Sequence, residues 1–472
     1  MTAHPVAATD AAARAQLESR ILERLTPTTQ EQRDVARDVA DLLAAADQAL
    51  AAARLSGRAT MQGSIAKGTW LAGGGDLDLF LLLDPSVPTE KLEGAALAVG
   101  AKILESAQKR YAQHPYLVGT FRGRSVDLVP AYAVASAAAK MSAVDRTPFH
   151  TTWVTSRLDD AARAQVRLAK RWLKGVGVYG AQTAVGGFSG YLVEVLIAHF
   201  GSFAHFLDWL AAEAKPRRIV SPTAQGANRL DQVNDEVSPL VVVDPVDPAR
   251  NCSAAVTVET LALACEAARS YIANPQERFF FPAPPHSVPA ATLHAHQQRV
   301  GESWQALLLR PRTDRLDIVF PQFQKAARAI AAHLETEGFP LVRLRSHADE
   351  ASPAVLLEWV TKAVELPERR IHKGPPAVVP ANAARFAAKY TNHPDALGPV
   401  TTGEDDRVQV ELAIRHRSAF RRLAADLASL QLGRHVTDAL GDARHWSDPA
   451  EATPDWAAAV ADTILDRRPW QR

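Results

Sequence analysis

The sequence predicts a multidomain α/β and α+β protein with a small α/β head, a helical neck, and an α+β body carrying an inserted tail. Three observations predict it. Between Gly63 and Ala133, segments of helix and strand character alternate. From Arg157 to about Asn274 the apolar residues recur at helical spacing, and beyond the Pro- and Phe-rich run at 279–285 strands return among helices. The expected divisions are residues 1–150, 151–285 and 286–472.

Each element has a local reason. Thr28 and Thr29 precede Glu31 and Gln32 at capping-box spacing, opening a long Ala/Leu/Asp helix to about Leu55. Gly63-Ser64 opens a second helix, and Leu79-Phe80-Leu81-Leu82-Leu83 reads as a strand buried on both faces. Lys91 to Gln113 reads as a helix across the sheet. Tyr116–Phe121 and Arg124–Val134 read as strands joined at Arg122-Gly123-Arg124, a hairpin signal. In the neck, Val166–Leu173, Tyr191–Phe200 and Leu261–Ile272 carry helical spacing. Phe279 to Pro285 reads as a linker. In the body, strands are expected at Arg315–Phe320, Leu341–Arg345 and Ala354–Leu366, with a helix from Gln322 to Glu337. A hairpin through Val400 and Val408-Gln409-Val410 and helices from His416 complete the chain.

The chemistry concentrates in the head. Asp76 and Asp78 sit two apart, and positions i and i+2 of a strand project from one face. Two anions held that close repel unless a cation lies between them. A hard divalent ion with oxygen ligands, Mg²⁺ first, is the natural occupant. Upstream, Gly63 and Ser64 offer backbone N–H groups and a hydroxyl to a phosphate. Asp127 interrupts the second strand of the hairpin and supplies a third carboxylate if that strand neighbours the first. Metal ions beside a phosphate cradle suit the transfer of a nucleotidyl group.

The succession from Gly63-Ser64 through Lys67 and Thr69-Trp70-Leu71, then Asp76-Leu77-Asp78-Leu79-Phe80, then Val126-Asp127-Leu128-Val129-Pro130, resembles the polymerase-β-type nucleotidyltransferases. More narrowly, the chain resembles the class I, archaeal-type CCA-adding enzymes, on further collinear matches. These are Ser142 to His150, Lys170 to Ala181, Gly187 to Leu192 and Asp244 to Asn251, with weaker echoes at Phe320-Pro321-Gln322 and His372 to Pro376.

The resemblance implies a polymerase-β-like nucleotidyltransferase head that adds C, C and A to tRNA 3′ ends from CTP and ATP. It implies that Asp76, Asp78 and Asp127 are catalytic and hold two Mg²⁺ ions. Gly63, Ser64 and Lys67 would meet the triphosphate, although the family often has Arg at 67 and Glu at 76. Thr147, His150, Lys170, Tyr179 and Arg250 would complete the nucleotide site. Arg250 follows the Pro-stiffened Asp244-Pro245-Val246-Asp247-Pro248 and would read the base, unless it merely pairs with Asp247. The implied partner is tRNA, at its acceptor stem and 3′ end; a homodimer is left open. A tailing or RNA-repair relative and a non-catalytic RNA-binding relative are the competing readings.

Composition neither demands nor opposes this. A formal charge of +1, with 53 basic against 52 acidic residues, leaves any RNA surface to local clustering. Candidates in the body are Arg310, Arg312, Arg315, Arg343, Arg345 and Lys373. Cys252 and Cys265 read as small core residues of a reducing cytoplasm, with no disulfide and no zinc pattern. Asp10, Arg14, Glu18 and Arg20 break the Ala-rich start, so neither a signal peptide nor a membrane span is expected and the location expected is cytoplasmic.

Overall fold

The computed structural model describes residues 6–472 apart from 112–114, 213–216, 224–232, 234, 236, 314–315 and 350–353. The chain forms two compact units, Met1–Ala283 with Pro469–Gln471, and Pro284–Arg468 with Arg472.

The first unit begins with α1 (Val6–Leu25) and α2 (Thr29–Ala52). The expected capping box is formed, with Thr28 accepting from the Glu31 amide and Glu31 accepting from the Thr28 amide. There follow β1 (Gly57–Gln62), the single turn α3 (Gly63–Ala66), β2 (Leu77–Leu83), α4 (Thr89–Ile103), β3 (Glu105–Tyr111), β4 (Pro115–Phe121) and β5 (Arg124–Tyr132). The sheet order is β1-β2-β5-β4-β3, with β2 and β5 parallel and the other pairs antiparallel.

Strand alternation decides what each face carries. Leu77, Leu79, Leu81 and Leu83 of β2, with Val126 and Leu128 of β5, pack against Leu42, Ala46 and Leu50 of α2 and Leu92, Ala96 and Val99 of α4. The alternate residues, Asp78, Phe80 and Leu82 beside Asp127, Val129 and Ala131, therefore turn to the opposite face. There the apolar contacts stop at Phe80 and the acids begin.

The head departs from expectation at one place. The helix expected over Lys91–Gln113 ends at Ile103, and the chain re-enters the sheet as the edge strand β3. Its sequence, Glu105-Ser106-Ala107-Gln108-Lys109-Arg110-Tyr111, has no apolar alternation because an edge strand pairs on one side only.

The helical part comprises α5 (Thr147–Arg157), α6 (Asp160–Gly175), α7 (Gly190–Phe200), α8 (Phe203–Ala211) and α9 (Val258–Ala273). It is not wholly helical, because β6 (Arg218–Val220) and β7 (Leu240–Val242) pair in parallel. Its core gathers Trp172, Phe188, Phe203, Phe206 and Tyr271. Phe279 and Phe280, expected in a linker, are buried in that core, and Trp470 stacks on Phe279 at 5.5 Å. Aromatic burial outweighs the loop-forming prolines that follow.

The second unit holds α10 (Ala290–Val300), β8 (Glu302–Leu309), α11 (Leu316–Thr336), β9 (Leu341–Asp349), β10 (Ala354–Lys362), β11 (Arg369–Pro376), α12 (Pro380–Tyr390), β12 (Thr401–Thr402), β13 (Arg407–Ala413), α13 (Ala419–Asp426), α14 (Arg434–Ala439), β14 (Arg444–Trp446) and α15 (Pro454–Ile464). A four-stranded antiparallel sheet, β14-β8-β10-β9, is covered by α11 on one face and by α10 and α15 on the other. The small sheet β11-β13-β12, packed against α12, is inserted between β10 and α13.

The strand expected at Arg315–Phe320 is instead the first turn of α11. Phe320, Phe323, Ala327, Ile330 and Leu334 repeat at three- and four-residue steps, and burying that stripe overrides the β-branched start and Pro321. Arg315 lies outside the described residues. Among the described residues no single helix is long and apolar enough to cross a membrane.

Candidate functional site

Asp78 and Asp127 are register partners across the parallel β2–β5 pair, so both carboxylates leave the same face side by side. Asp76 lies one residue before β2, at the strand's mouth rather than within it. Burial, then the charges of Asp127 and Asp76, push the Asp78 carboxyl up to about 6; the Lys67 ammonium pulls the other way. Asp127 is pushed upward as well, by burial and by Asp76. These shifts reflect burial and the mutual repulsion of neighbouring carboxylates.

Oxygen donors of this kind suit Mg²⁺, which keeps several waters and takes further oxygens from substrate phosphates. Among the described residues no group of three or more His, Cys, Asp or Glu side chains is placed to hold a metal ion, Asp76, Asp78 and Asp127 included.

Gly63 explains itself here. Its φ is +68°, and a Cβ at this position would fall 1.7 Å from Asp78 Oδ2. The backbone of the turn entering α3 thus lies directly against the carboxylate. Ser64 is half-buried in the same turn, and its carbonyl accepts from the Thr69 amide at 2.9 Å.

Lys67 leads away from that turn into a buried ionic cluster. Its Nζ lies 2.6 Å from Glu194 Oε2, and Lys170 Nζ lies 2.8 Å from Glu194 Oε1. Thr69 Oγ1 donates to Glu194 and accepts from Lys170. Glu194 is 0% exposed, and despite burial the two lysines hold it down to about 2. Burial lowers the Lys170 ammonium, with Glu194 opposing.

Tyr179 sits in an isolated parallel β-bridge with Phe188, in which Phe188 donates to the Val178 carbonyl at 2.8 Å and Gly180 to the Phe188 carbonyl at 2.9 Å. Its hydroxyl reaches the start of α7, where a Cβ on Gly190 would come within 2.9 Å of it. Burial, then Glu194 and Asp78, raise the Tyr179 hydroxyl, so the phenol stays neutral.

A second ionic centre forms around Asp244, which is wholly buried. Its Oδ2 lies 2.9 Å from His150 Nε2 and accepts from Arg250 at 2.8 Å, while Oδ1 accepts from the Tyr191 hydroxyl at 3.0 Å. His150 stacks on Tyr191 with ring centroids 4.0 Å apart. These donors hold Asp244 well below the usual carboxylate range against the effect of burial. Arg250 therefore pairs with Asp244 and not with Asp247, which is taken by Lys140 at 2.8 Å and Arg146 at 3.0 Å.

The helix bearing Thr147 and His150 is fixed from below. Asp145, fully buried, accepts from the amide of Tyr132 at the end of β5 and from those of Met141 and Ser142. One turn into α5, Thr151 donates to Gln62 at the end of β1 at 2.6 Å. Thr147 opens α5, half-buried, one turn before His150.

Two groups thus emerge in the first unit. One joins Gly63, Lys67, Lys170, Tyr179 and Glu194 to the carboxylates; the other joins His150, Tyr191 and Arg250 through Asp244. Glu194, Tyr191 and Thr69 were not singled out from sequence. The signal for Glu194 was present, as one acid inside the apolar run Tyr191-Leu192-Val193-Glu194-Val195-Leu196-Ile197, where an unpaired charge would be costly.

Comparison with known proteins gives the class first: residues 48–150 match the family model described as Nucleotidyltransferase domain. Residues 164–281 match "tRNA nucleotidyltransferase, second domain", and residues 312–446 match "CCA-adding enzyme, C-terminal domain". The CCA-adding enzyme of Halobacterium salinarum is 38% identical over 463 residues, covering 97% of this chain and 96% of its own. That of Haloarcula marismortui is 35% identical over 435 residues (89% and 91%), and that of Methanoregula boonei 37% over 399 residues (83% and 84%). The chain belongs to the CCA-adding enzymes, nucleotidyltransferases that build the CCA end of tRNA.

Proposed function

We propose that this chain adds C, C and A in turn to the 3′ end of tRNA from CTP and ATP, with Asp76, Asp78 and Asp127 holding two Mg²⁺ ions. The observation that carries the reading is the register pairing of Asp78 with Asp127 on the sheet face opposite the α2/α4 core, against the Gly63 backbone. When bound, the ions would lower the pKa of the attacking 3′-hydroxyl and neutralise the triphosphate and departing pyrophosphate.

The chain's own groups do the rest. Lys67 and Lys170 bring two positive charges against one from Glu194, a net positive corner that attracts a triphosphate. Gly63 and Ser64 line the approach to the carboxylates. His150 and Arg250, both fixed on Asp244, complete the nucleotide site with Thr147, Arg250 reading the base. A guanidinium suits cytosine O2 and N3 or adenine N1, whereas uracil and guanine present an N–H at the corresponding place. In the three proposed divisions, 1–150, 151–285 and 286–472, catalysis belongs to the head, the nucleotide site to head and neck, and RNA binding, to the upper part of the tRNA, to body and tail.

The test is a product ladder from tRNAs lacking one, two or three terminal nucleotides, each given CTP and ATP with Mg²⁺. Addition of the missing residues followed by a stop supports the reading. Continuous A addition would replace it with a tailing activity, and tight binding without addition would replace it with an RNA-binding role.

A further inference from the structure

Glu194 has no nucleotide-binding role of its own above, yet both of its buried oxygens are engaged, by two ammonium groups and a hydroxyl. It lies on α7, between Val193 and Val195, both fully buried. Its two oxygens meet Lys67 Nζ, Lys170 Nζ and the Thr69 hydroxyl, which come from the segment after α3 and from α6. Lys170 Nζ also approaches Thr69 Oγ1 at 2.9 Å, so the four groups form one closed network. Three chain segments far apart in sequence thus converge on a single carboxylate, and their relative position is set there.

The geometry points to Glu194 as a positioning residue for nucleotide binding, one that holds the Lys67 and Lys170 ammoniums together at the carboxylate site to receive the triphosphate. This rests on the reading of Lys67 and Lys170 as nucleotide-binding residues.

The physical reason is the cost of two buried cations. An isolated buried ammonium sheds its proton because burial disfavours the charged form. Two ammoniums sharing one pocket also repel each other. One carboxylate between them opposes the effect of burial on Lys170 and fixes both ammoniums in place, with two positive charges set against its one negative charge. The ionisable groups around Lys170 are Glu194, Lys67 after α3 and Lys174 one turn along α6. Those acting on Glu194 are Lys170 and Lys67, and its own charge is felt by Tyr179 and by Asp78 of β2. Of these, Glu194 is the acid placed to hold Lys170 in its charged form.

The test compares the whole enzyme with Glu194→Gln, which keeps the shape and removes the charge, and with Glu194→Asp, which keeps the charge and withdraws it. Steady-state kinetics for CTP on tRNA lacking its terminal CCA are measured from pH 7 to 9.5, with tRNA affinity measured separately. In Glu194→Gln the KM for CTP is expected to rise tenfold or more and to climb further with pH as Lys170 loses its proton. In the parent enzyme the corresponding climb is absent or displaced to higher pH, and tRNA affinity is the same in both. Glu194→Asp is expected to raise KM several-fold without moving the pH profile.

A Glu194→Gln enzyme with the parent's KM and pH profile would overturn the inference. Should that variant fail to fold, an unchanged KM in Glu194→Asp overturns it and a raised KM supports it. Lys170→Met separates the two levels. If Lys170→Met leaves KM unchanged, the nucleotide-binding reading itself fails. If Lys170→Met raises KM and Glu194→Gln does not, only the positioning role fails.

Discussion

Arg250 donates to the same Asp244 oxygen that His150 Nε2 approaches, at 2.8 and 2.9 Å respectively, so one buried carboxylate aims both residues. The rigid Asp244-Pro245-Val246-Asp247-Pro248 segment closes on itself, with the Arg250 amide donating to the Asp247 carbonyl at 2.8 Å and the Asp244 amide to the Arg250 carbonyl at 3.0 Å. A guanidinium held in this way can discriminate by donor pattern, because a mismatched base leaves a donor unpaired in a desolvated pocket. Arg250→Ala is expected to lose efficiency with CTP and ATP by an order of magnitude or more, at about 1.5–3 kcal/mol for each charged hydrogen bond removed. Single-turnover incorporation of all four nucleotides onto tRNA ending in C or CC measures it. Unchanged C-over-U and A-over-G preference would show the base is read elsewhere.

Asp78 gives the sharpest loss. With its register partner Asp127 it supplies two of the three proposed metal-binding carboxylates, and neither points into the sheet core. Asp78→Ala should abolish nucleotide addition while leaving tRNA affinity nearly unchanged, and chelation of Mg²⁺ should do the same to the parent enzyme. A variant turning over at more than a few per cent of the parent rate in saturating Mg²⁺ would remove Asp78 from the metal site.

Gly63 is constrained twice, by its φ of +68° and by the carboxylate 1.7 Å from where a Cβ would stand. Gly63→Ala must displace either the turn or Asp78. Strained backbone of this kind costs roughly 1–3 kcal/mol, so a lower melting temperature is expected. A larger loss of kcat is expected too, because the displaced atom belongs to the proposed catalytic carboxylate. A melting shift with no kcat change would separate this turn from the chemistry.

The Glu194 network predicts an acid-side signature. Its carboxyl is held down to about 2, below the ordinary value of 4.5. A group depressed in the folded state contributes stability that is complete above its unfolded pKa and is lost as pH falls through the folded one. The contribution should therefore be intact above pH 4.5 and fade toward pH 2. The difference in melting temperature between parent and Glu194→Gln, followed from pH 6 to 2, should shrink across that window. A difference independent of pH would mean that the carboxylate is not charged there.

In the body, the candidate RNA-facing cations divide by their surroundings. Arg343 is committed to Glu302 and the Thr463 carbonyl, and Arg345 to Asp466 at 2.9 Å, so neither is offered outward. Lys373 pairs with Asp405 at 2.8 Å on the surface. Arg310 and Arg312 are exposed. Replacing both by Ala should weaken tRNA binding and flatten its salt dependence by about 0.9 in log–log slope for each phosphate left without its arginine. An unchanged slope would place RNA binding on other residues.

Local chemistry made much of this molecule legible. The capping box at Thr28, the hairpin at Arg122-Gly123-Arg124 and the strand at Leu79–Leu83 all follow from neighbours within a few residues, and all three form where expected. Asp78 and Asp127 could likewise be set on neighbouring strands by pattern and by family resemblance. The edge strand β3 and the start of α11 were not legible, because one lacks the alternation of a buried strand and the other hides a helical stripe behind a β-branched opening.

What tertiary structure alone decided is how distant ions are matched. Lys67 meets Glu194 across 127 positions, His150 meets Asp244 across 94, and Arg250 takes Asp244 over the nearer Asp247 because Lys140 and Arg146 already hold the latter. Sequence by itself determined the kinds of charge and the elements that carry them. Which charge neutralises which depended on where packing buried them, since a buried ion must find a partner and only the folded core specifies the partner within reach.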